Sequence, residues 1–308
     1  MQLSVLRYFL AVAELGSIRQ AAEQLHVAAS AVSRQIANLE YDYGVPLFEL
    51  HAQGVRLTLA GEIFAQHART TLREFDRVRS DIDDVRGLKR GNVRIGAVEG
   101  VVSNFLFSMF EEFGKQFPNV TFDVNVAGTG AILESIARDE ADLGIVFNAL
   151  PYPDVEMGPV IRHPLVAVVS PRHPLANRAS VRLADLAEYR VATLHPSFGT
   201  RQILDRALIE AGVRIDALLT INSIEMLKAF VARGLGISVM PRFAVAREQD
   251  GEELMIVAID NDALRESHLA LCWRKERSLG AAADTLRAYI ERELPIFFAE
   301  AAGSLPHR

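Results

Sequence analysis

Apolar residues in the first forty positions recur at steps of three and four, which is the spacing of amphipathic helices. Two apolar faces result, Ile18, Ala21, Ala22 and Leu25 on one helix and Val32, Ile36 and Leu39 on the next. The alanines allow the two helices to cross closely. Because residues 25–29 interrupt the pattern between the faces, the segment predicts a helix-turn-helix.

The second of these helices carries short polar side chains on the face opposite its apolar one. They are Ser30, Ser33, Arg34 and Asn38. Such groups donate hydrogen bonds to phosphates and base edges when a helix lies in a major groove. We therefore expect this face to contact DNA, with an ordinary helix pair inside a globular core as the alternative.

A long helix is predicted downstream, after two short strands around Gln53 and Gly54, and Thr58 is placed to cap it. Its apolar or semi-apolar residues form one seam: Ile63, Phe64, His67, Thr71, Phe75, Val78, Ile82 and Val85. A helix of about 30 residues spans about 45 Å. Such a narrow seam cannot bury itself, so we expect it to pair with a second copy, or with the first helix, Leu3 to Leu15. Packing on its own globular domain is the alternative.

Beyond Gly91 the pattern changes to alternating strands and helices. Strands at 93–98, 120–126 and 143–147 with helices at 103–117 and 131–138 predict a parallel β-α-β-α-β unit. A second set of strands and helices runs through residues 165–259, and a strand at 268–273 and a helix at 279–294 follow. Two crossovers, near 148–161 and 259–267, would join two lobes around a cleft.

Composition narrows the range of functions. The net charge of −6 excludes a polybasic nucleic-acid binder, so affinity for DNA must come from geometry and dimerisation. Cys272 is the single cysteine, which fits a reducing compartment. Since Arg7 and Glu14 interrupt the N-terminal apolar pattern and no run of eighteen apolar residues occurs, we expect a soluble cytoplasmic protein without a membrane partner.

Catalytic motifs are missing from the chain. It has no Gly-x-Ser-x-Gly elbow, no phosphate-binding loop and no His-Glu-x-x-His, and its eight histidines lack metal-ligand spacing. We therefore expect no enzymatic activity, no metal and no cofactor.

The order of several segments resembles that of the LysR-type transcriptional regulators across the whole chain. These segments are LRYFLAVAELGSIRQAAEQLHV, AVSRQIANLE, GVPLF, GVRLTLAG and, after the long helix, GNVRIGA. The resemblance implies an α/β protein with an N-terminal winged helix-turn-helix, a long linker helix and a C-terminal two-lobed effector domain with mixed sheets, like a periplasmic binding protein. We assign residues 1–58 to the DNA-binding domain, 59–90 to the linker and dimerisation helix, 91–162 with 267–308 to lobe 1, and 163–266 to lobe 2.

The chain departs from the family pattern at two DNA-binding segments. Ala28, Ala29 and Ser30 stand where the family has Ser-Gln-Pro, and Leu50 and Gln53 replace two arginines of the wing. These changes remove bidentate and minor-groove contacts. Ser30, Ser33 and Arg34 become the leading candidates for DNA contacts, and Arg56 and Thr58 would lie beside the DNA backbone.

Ligands of such two-lobed folds lie at the carboxyl ends of strands, near helix N-termini. The candidate effector-binding residues in these loops are Gly100, Val101, Ser103, Thr129, Phe147, Ser197, Phe198, Thr200, Asn222 and Ile224. By resemblance, Thr129 is a pocket threonine, while Gly100 opens space and deletes a hydroxyl donor. The alternative is that Gly128 and Thr129 merely form a turn and a helix cap.

The polar residues of these loops suit a small organic acid or another anionic metabolite. Glu99 would repel an anion if it faced the cleft, so either it points away or the ligand carries a cationic or donor group. Both alternatives stay open.

Three functions compete. The leading one is a transcriptional regulator that binds double-stranded promoter DNA and a small-molecule effector, forms homodimers that assemble into homotetramers, and affects access of RNA polymerase. A solute-binding protein is opposed by the N-terminal 90 residues and the missing signal peptide. An α/β enzyme with an accessory helical module lacks a nucleophile or an acid-base group.

Overall fold

The fold comes from a computed structural model, which describes residues 2–51, 54–85, 90–245 and 253–302. The chain divides into two compact units, Met1–Val85 and Arg86–Arg308. Each unit is described by itself.

The first unit contains four helices and a two-stranded antiparallel sheet in its described part. The elements are α1 (Leu3–Leu15), α2 (Ile18–Gln24), α3 (Ala29–Tyr43), β1 (Phe48–His51), β2 (Gly54–Leu57) and α4 (Leu59–Val85). The helix-turn-helix is therefore formed by α2 and α3, and β1 and β2 form the wing.

Local interactions set the helix ends in this unit. The Ser17 hydroxyl caps α2 by accepting a hydrogen bond from the backbone N–H of Gln20 at 3.4 Å. Gly16 and Gly44 end α1 and α3 with φ of 62° and 69°, a conformation that favours glycine. Thr58 Oγ1 accepts from the backbone N–H of Gly61 at 3.0 Å, so the prediction that Thr58 caps the long helix is confirmed.

Two apolar clusters hold the first unit together. Ala21, Ala22, Val32 and Ile36 pack where α2 crosses α3. The other cluster is built around Phe9 of α1, whose ring lies 4.8 Å from that of Phe48 and 4.7 Å from that of Phe64. These contacts join α1 to the wing and to the start of α4.

The beginning of the predicted α4 seam packs against α1, which is one of the two pairings expected from the sequence. Phe64 is only 8% exposed because it contacts Phe9 of α1. Five other apolar seam residues are exposed: Ile63, Phe75, Val78, Ile82 and Val85.

The second unit contains two sheets, each with its own helices. We call lobe 1 the part around the five-stranded sheet of order β4-β3-β5-β13-β6. Its strands are β3 (Arg90–Ala97), β4 (Asn119–Val126), β5 (Leu143–Phe147), β6 (Val155–Arg162) and β13 (His268–Arg274). Its helices are α5 (Glu99–Val101), which continues through a π turn at Val102–Leu106 into α6 (Phe107–Gln116), then α7 (Thr129–Ala137) and α12 (Ala281–Ala302).

Lobe 2 is built around a six-stranded mixed sheet of order β10-β9-β11-β7-β12-β8. Its strands are β7 (Leu165–Val169), β8 (Ser180–Val181), β9 (Val191–Leu194), β10 (Leu219–Ile221), β11 (Ile237–Pro241) and β12 (Met255–Ile259). Its helices are α8 (Leu183–Leu186), α9 (Gly199–Glu210) and α10 (Ile224–Ala232), with a 3-10 turn at Arg242–Val245 and the short α11 (Asp262–Arg265) before the chain returns to lobe 1.

The predicted parallel unit of lobe 1 is present, since β3 pairs in parallel with both β4 and β5. The crossover predicted near residues 148–161 is wrong, because β6 occupies the second half of that stretch and pairs with β13 as an edge strand. The first chain crossing is therefore short and lies at His163 and Pro164. There the Ser267 hydroxyl donates to the carbonyl oxygen of His163 at 2.8 Å, which ties the two crossings together.

No helix in the described ranges is both long and apolar enough to span a membrane.

Candidate DNA-binding surface and effector cleft

The polar face predicted on the second helix of the helix-turn-helix, α3, is exposed. Ser30, Ser33, Arg34 and Asn38 all lie on the outer face of α3, opposite the buried Val32, Ile36 and Leu39. Arg34 makes no ion pair with any residue in the described ranges, which leaves its guanidinium for a phosphate or a base edge.

The wing contributes two further candidates with different surroundings. Arg56 is exposed on β2. The Thr58 hydroxyl is already engaged, since it donates to the carbonyl oxygen of Pro46 at 2.8 Å and accepts from Gly61. Thr58 therefore shapes the start of α4, and its hydroxyl hydrogen is not available to a phosphate in this arrangement.

Glu40 positions this surface, and the sequence analysis missed it. Its Oε1 accepts hydrogen bonds from the backbone N–H groups of Leu47 at 2.8 Å and Phe48 at 3.1 Å. The carboxylate thus fastens the last turns of α3 to the start of the wing.

Six of the ten candidate effector residues line one small cavity between the lobes, which we call the inner cavity. They are Gly100, Thr129, Phe147, Phe198, Thr200 and Ile224. The inner cavity has a volume of about 20 Å³, which is room for about one water molecule. The loops therefore converge as predicted, but their side chains nearly fill the space.

The four remaining candidates are placed elsewhere. Val101 is fully buried in the core and Asn222 is exposed, and neither lines the inner cavity. Ser197 lines a neighbouring, larger cavity. The side chain of Ser103 lies outside the described part of the structure.

The room left by Gly100 is not open space, so that part of the prediction was wrong. A Cβ atom added to Gly100 would lie 2.7 Å from Cε2 of Phe243 and 3.2 Å from Cδ1 of Ile224. The missing side chain instead lets lobe 2 pack closely against α5.

Thr129 is engaged within its own lobe. Its hydroxyl donates to the carbonyl oxygen of Phe147 at 2.8 Å and accepts from the backbone N–H of Phe147 at 3.1 Å. The hydroxyl therefore fixes the start of α7 to the end of β5, and it would have to release Phe147 to donate to a ligand.

The orientation of Glu99, left open by the sequence, is defined by its partners. Its carboxylate accepts from Ser223 Oγ and from the backbone N–H of Ile224, both at 3.0 Å. A helix N-terminus is a favourable position for an anion. Glu99 of lobe 1 thus occupies the anion position at the start of α10 in lobe 2.

The larger cavity, which we call the outer cavity, adjoins the inner one and shares Thr129 and Phe147 with it. Its volume is about 410 Å³. Residues of both lobes line it, including Leu133 and Tyr152 of lobe 1 and Gln202, Ile203 and Arg206 of lobe 2.

Two buried titratable groups, Cys272 and His163, line neither cavity. Burial raises the pKa of the Cys272 thiol to about 12, which keeps it protonated and unreactive. His163 is buried between the rings of Phe243 and Phe298, and burial followed by the nearby positive charge of Arg242 lowers its pKa to about 4. In the described ranges no three potential metal-binding side chains come together.

Two family models match the chain. The LysR substrate binding domain matches residues 86–295, and the bacterial regulatory helix-turn-helix protein of the lysR family matches residues 3–62. A relative from Allochromatium vinosum, the RuBisCO operon transcriptional regulator, is 30% identical over 94% of this chain and 95% of its own length.

Solved structures share the fold. CbnR complexed with its target DNA has a TM-score of 0.67 and 22% identity, covering 95% of this chain and 99% of its own. The effector binding domain of QuiR in complex with shikimate has a TM-score of 0.57 and 22% identity, covering 66% of this chain and 97% of its own. The α/β architecture expected from the sequence, with a helix-turn-helix unit and a two-lobed domain, is confirmed.

Because the two matched models together span most of its length, the chain belongs to the LysR family of transcriptional regulators and combines a DNA-binding domain with an effector-binding domain.

Proposed function

We propose that this regulator binds promoter DNA as a dimer, with the outer face of α3 in the major groove and β2 beside the backbone. The observation that carries the proposal is the exposed face of Ser30, Ser33, Arg34 and Asn38 on a helix whose other face is buried. Ser33 and Arg34 lie at its centre and would make the main base and phosphate contacts, and Arg56 would add a backbone contact.

Dimerisation is assigned to α4. This helix of 27 residues is about 40 Å long. Phe75, Val78, Ile82 and Val85 follow one another at steps of three and four and are each about half exposed or more. A stripe of this kind is stable when it packs against a second helix, so two copies of α4 would pair and set the spacing of two recognition helices.

A small anionic metabolite bound between the lobes would control DNA binding in this proposal. A ligand shifts a conformational equilibrium only by as much as its affinity for the two states differs. Contacts with both lobes satisfy that condition, because the ligand then favours one placement of the lobes. The protein would act in the cytoplasm by binding alone, without catalysis, as a dimer or as a tetramer that bridges two sites and alters access of RNA polymerase.

A gel-shift assay with DNA from upstream of the gene tests the proposal. Replacing both Ser33 and Arg34 with Ala should weaken specific binding by about 10- to 100-fold, since a good base contact contributes about 1–3 kcal/mol. Arg19→Ala is the matched control, because Arg19 is an exposed arginine of α2 paired with Glu23 and lies outside the proposed contact face. Equal binding by the double variant and the parent protein would refute the assignment of α3.

A further inference from the structure

The outer cavity has the size of a ligand site, whereas the inner cavity does not. Its volume of about 410 Å³ lies within the range of about 300–1,000 Å³ that is typical of small-molecule pockets. The inner cavity, at about 20 Å³, is nearly filled by the side chains that line it. An effector that enters without rearranging the lobes would therefore occupy the outer cavity.

The walls of the outer cavity are largely apolar. Leu133 and Ile203 face it from opposite lobes. Leu150 and Tyr152 form its rim and remain 70% and 37% exposed. A ligand with a hydrocarbon or aromatic part would remove these side chains from water, which favours binding.

Arg206 provides the charge of the cavity. It projects from α9, is exposed, and forms no ion pair with any other residue in the described ranges. None of the described residues that line the outer cavity is acidic. A guanidinium in this setting binds carboxylates, with which it forms two parallel hydrogen bonds.

The inner part of the cleft disfavours a second negative charge. The Glu99 carboxylate lines the inner cavity and already holds the hydrogen-bond donors at the start of α10. A dicarboxylate reaching from Arg206 into the inner cavity would bring like charges together. The arrangement therefore selects ligands with one acidic group.

We propose that the outer cavity is the effector site and that it takes an amphipathic monocarboxylate. The carboxylate pairs with Arg206, and the apolar part lies against Leu133, Leu150, Tyr152 and Ile203. This inference rests on the proposed function for its premise that an effector binds between the lobes. It adds the place of binding and the chemical class of the ligand.

Isothermal titration calorimetry on the full chain tests this site with benzoate, 3-phenylpropionate and octanoate, each compared with its primary amide, and with succinate. We expect at least one monocarboxylate to bind about tenfold or more tightly than its amide, as expected for loss of a charge-assisted hydrogen bond. Succinate should bind more weakly than that monocarboxylate. Absence of binding by all three monocarboxylates, or tighter binding of succinate, would overturn the proposal.

Two variants locate the site. Arg206→Gln should weaken binding of the carboxylate about tenfold and leave binding of the amide unchanged. Gly130→Leu should block binding, because a Cβ at Gly130 has no atom within 4 Å and the larger side chain would fill the outer cavity. Gly114→Leu is the matched control, since its Cβ position in α6 is equally open and lies outside both cavities.

Unchanged affinity in both Arg206→Gln and Gly130→Leu would place the ligand elsewhere and refute the inference. The gel-shift assay without ligand separates this failure from failure of the proposed function. Both cavity variants should bind DNA as tightly as the parent protein does. If the parent protein does not bind the DNA, that result would count against the proposed function alone.

Discussion

The carboxylate of Glu99 in lobe 1 accepts a 3.0 Å hydrogen bond from the backbone N–H of Ile224 in lobe 2. The two residues are separated by 125 positions in the chain. The hydroxyl of Ser223, which also caps α10 by accepting from Met226, donates to the same carboxylate. The N-terminus of a helix in one lobe is thus satisfied by an acid of the other, and this contact joins the lobes beside the inner cavity.

Glu99→Ala should therefore lower the free energy of unfolding by about 1–3 kcal/mol, because it leaves two donors without their acceptor. Urea denaturation followed by circular dichroism measures the change. Glu99→Gln keeps an acceptor oxygen and should lose less. Equal stability of the parent protein and Glu99→Ala would show that the contact contributes nothing to the folded state.

Thr129→Val should also destabilise the protein, although the sequence suggested only a ligand contact at this position. The substitution removes both hydrogen bonds to Phe147. We expect a loss of about 1–3 kcal/mol in the same denaturation experiment. Thr129→Ser keeps the hydroxyl and should retain most of the stability, so equal losses in the two variants would contradict this role.

Placing Glu at both Val78 and Ile82 should dissociate the proposed dimer, because it sets like charges in a paired apolar seam. Light scattering at micromolar concentration should then give the mass of a single chain. Asp76→Lys is the control, since it changes the charge of the same helix at an exposed position outside the seam. A double variant that keeps the parent mass would exclude α4 as the dimer contact.

His163 should make stability depend on pH. Its pKa in the folded protein is lowered to about 4 from 6.5. Between these two pH values the imidazole is therefore protonated in the unfolded chain and neutral in the folded one. The free energy of unfolding should be highest above pH 6.5 and fall by up to about 3 kcal/mol as the pH decreases toward 4. Denaturation between pH 7.5 and 4.5 tests this.

The control is His163→Phe, which keeps an aromatic ring between Phe243 and Phe298 but cannot titrate. The free energy of unfolding of this variant should fall less steeply with decreasing pH than that of the parent protein. Parallel pH profiles for the two proteins would show that other groups dominate.

Periodicity and caps predicted the parts of the fold that depend on neighbours in sequence. The outer face of α3 and the cap at Thr58 followed from spacing alone, since each involves residues within one or two turns. The sequence left open whether the α4 seam pairs with α1 or with a second copy, because a helical seam does not show which of its residues another helix covers. Strand β6 was missed because Gly158 and Pro159 are unfavourable in strands, and only pairing with β13 at the sheet edge makes them acceptable.

In the candidate site, too, features that depend on local sequence were predictable and contacts between distant segments were not. The loops that meet in the cleft were predictable because strands of one sheet end at a common edge. The partners of Glu99 and Thr129 were not, because each lies on another element far along the chain. The filling of the space beside Gly100 by Phe243 likewise depends on how the lobes pack.

The Glu40 carboxylate, which accepts from both Leu47 and Phe48, has a consequence for evolution of the target sequence. The two hydrogen bonds fix the position of the wing relative to α3. If the chain binds DNA as the proposed dimer, a change in the distance between two half-sites would require a change in how the protomers pair, whereas base changes inside a half-site would be matched by substitutions on α3.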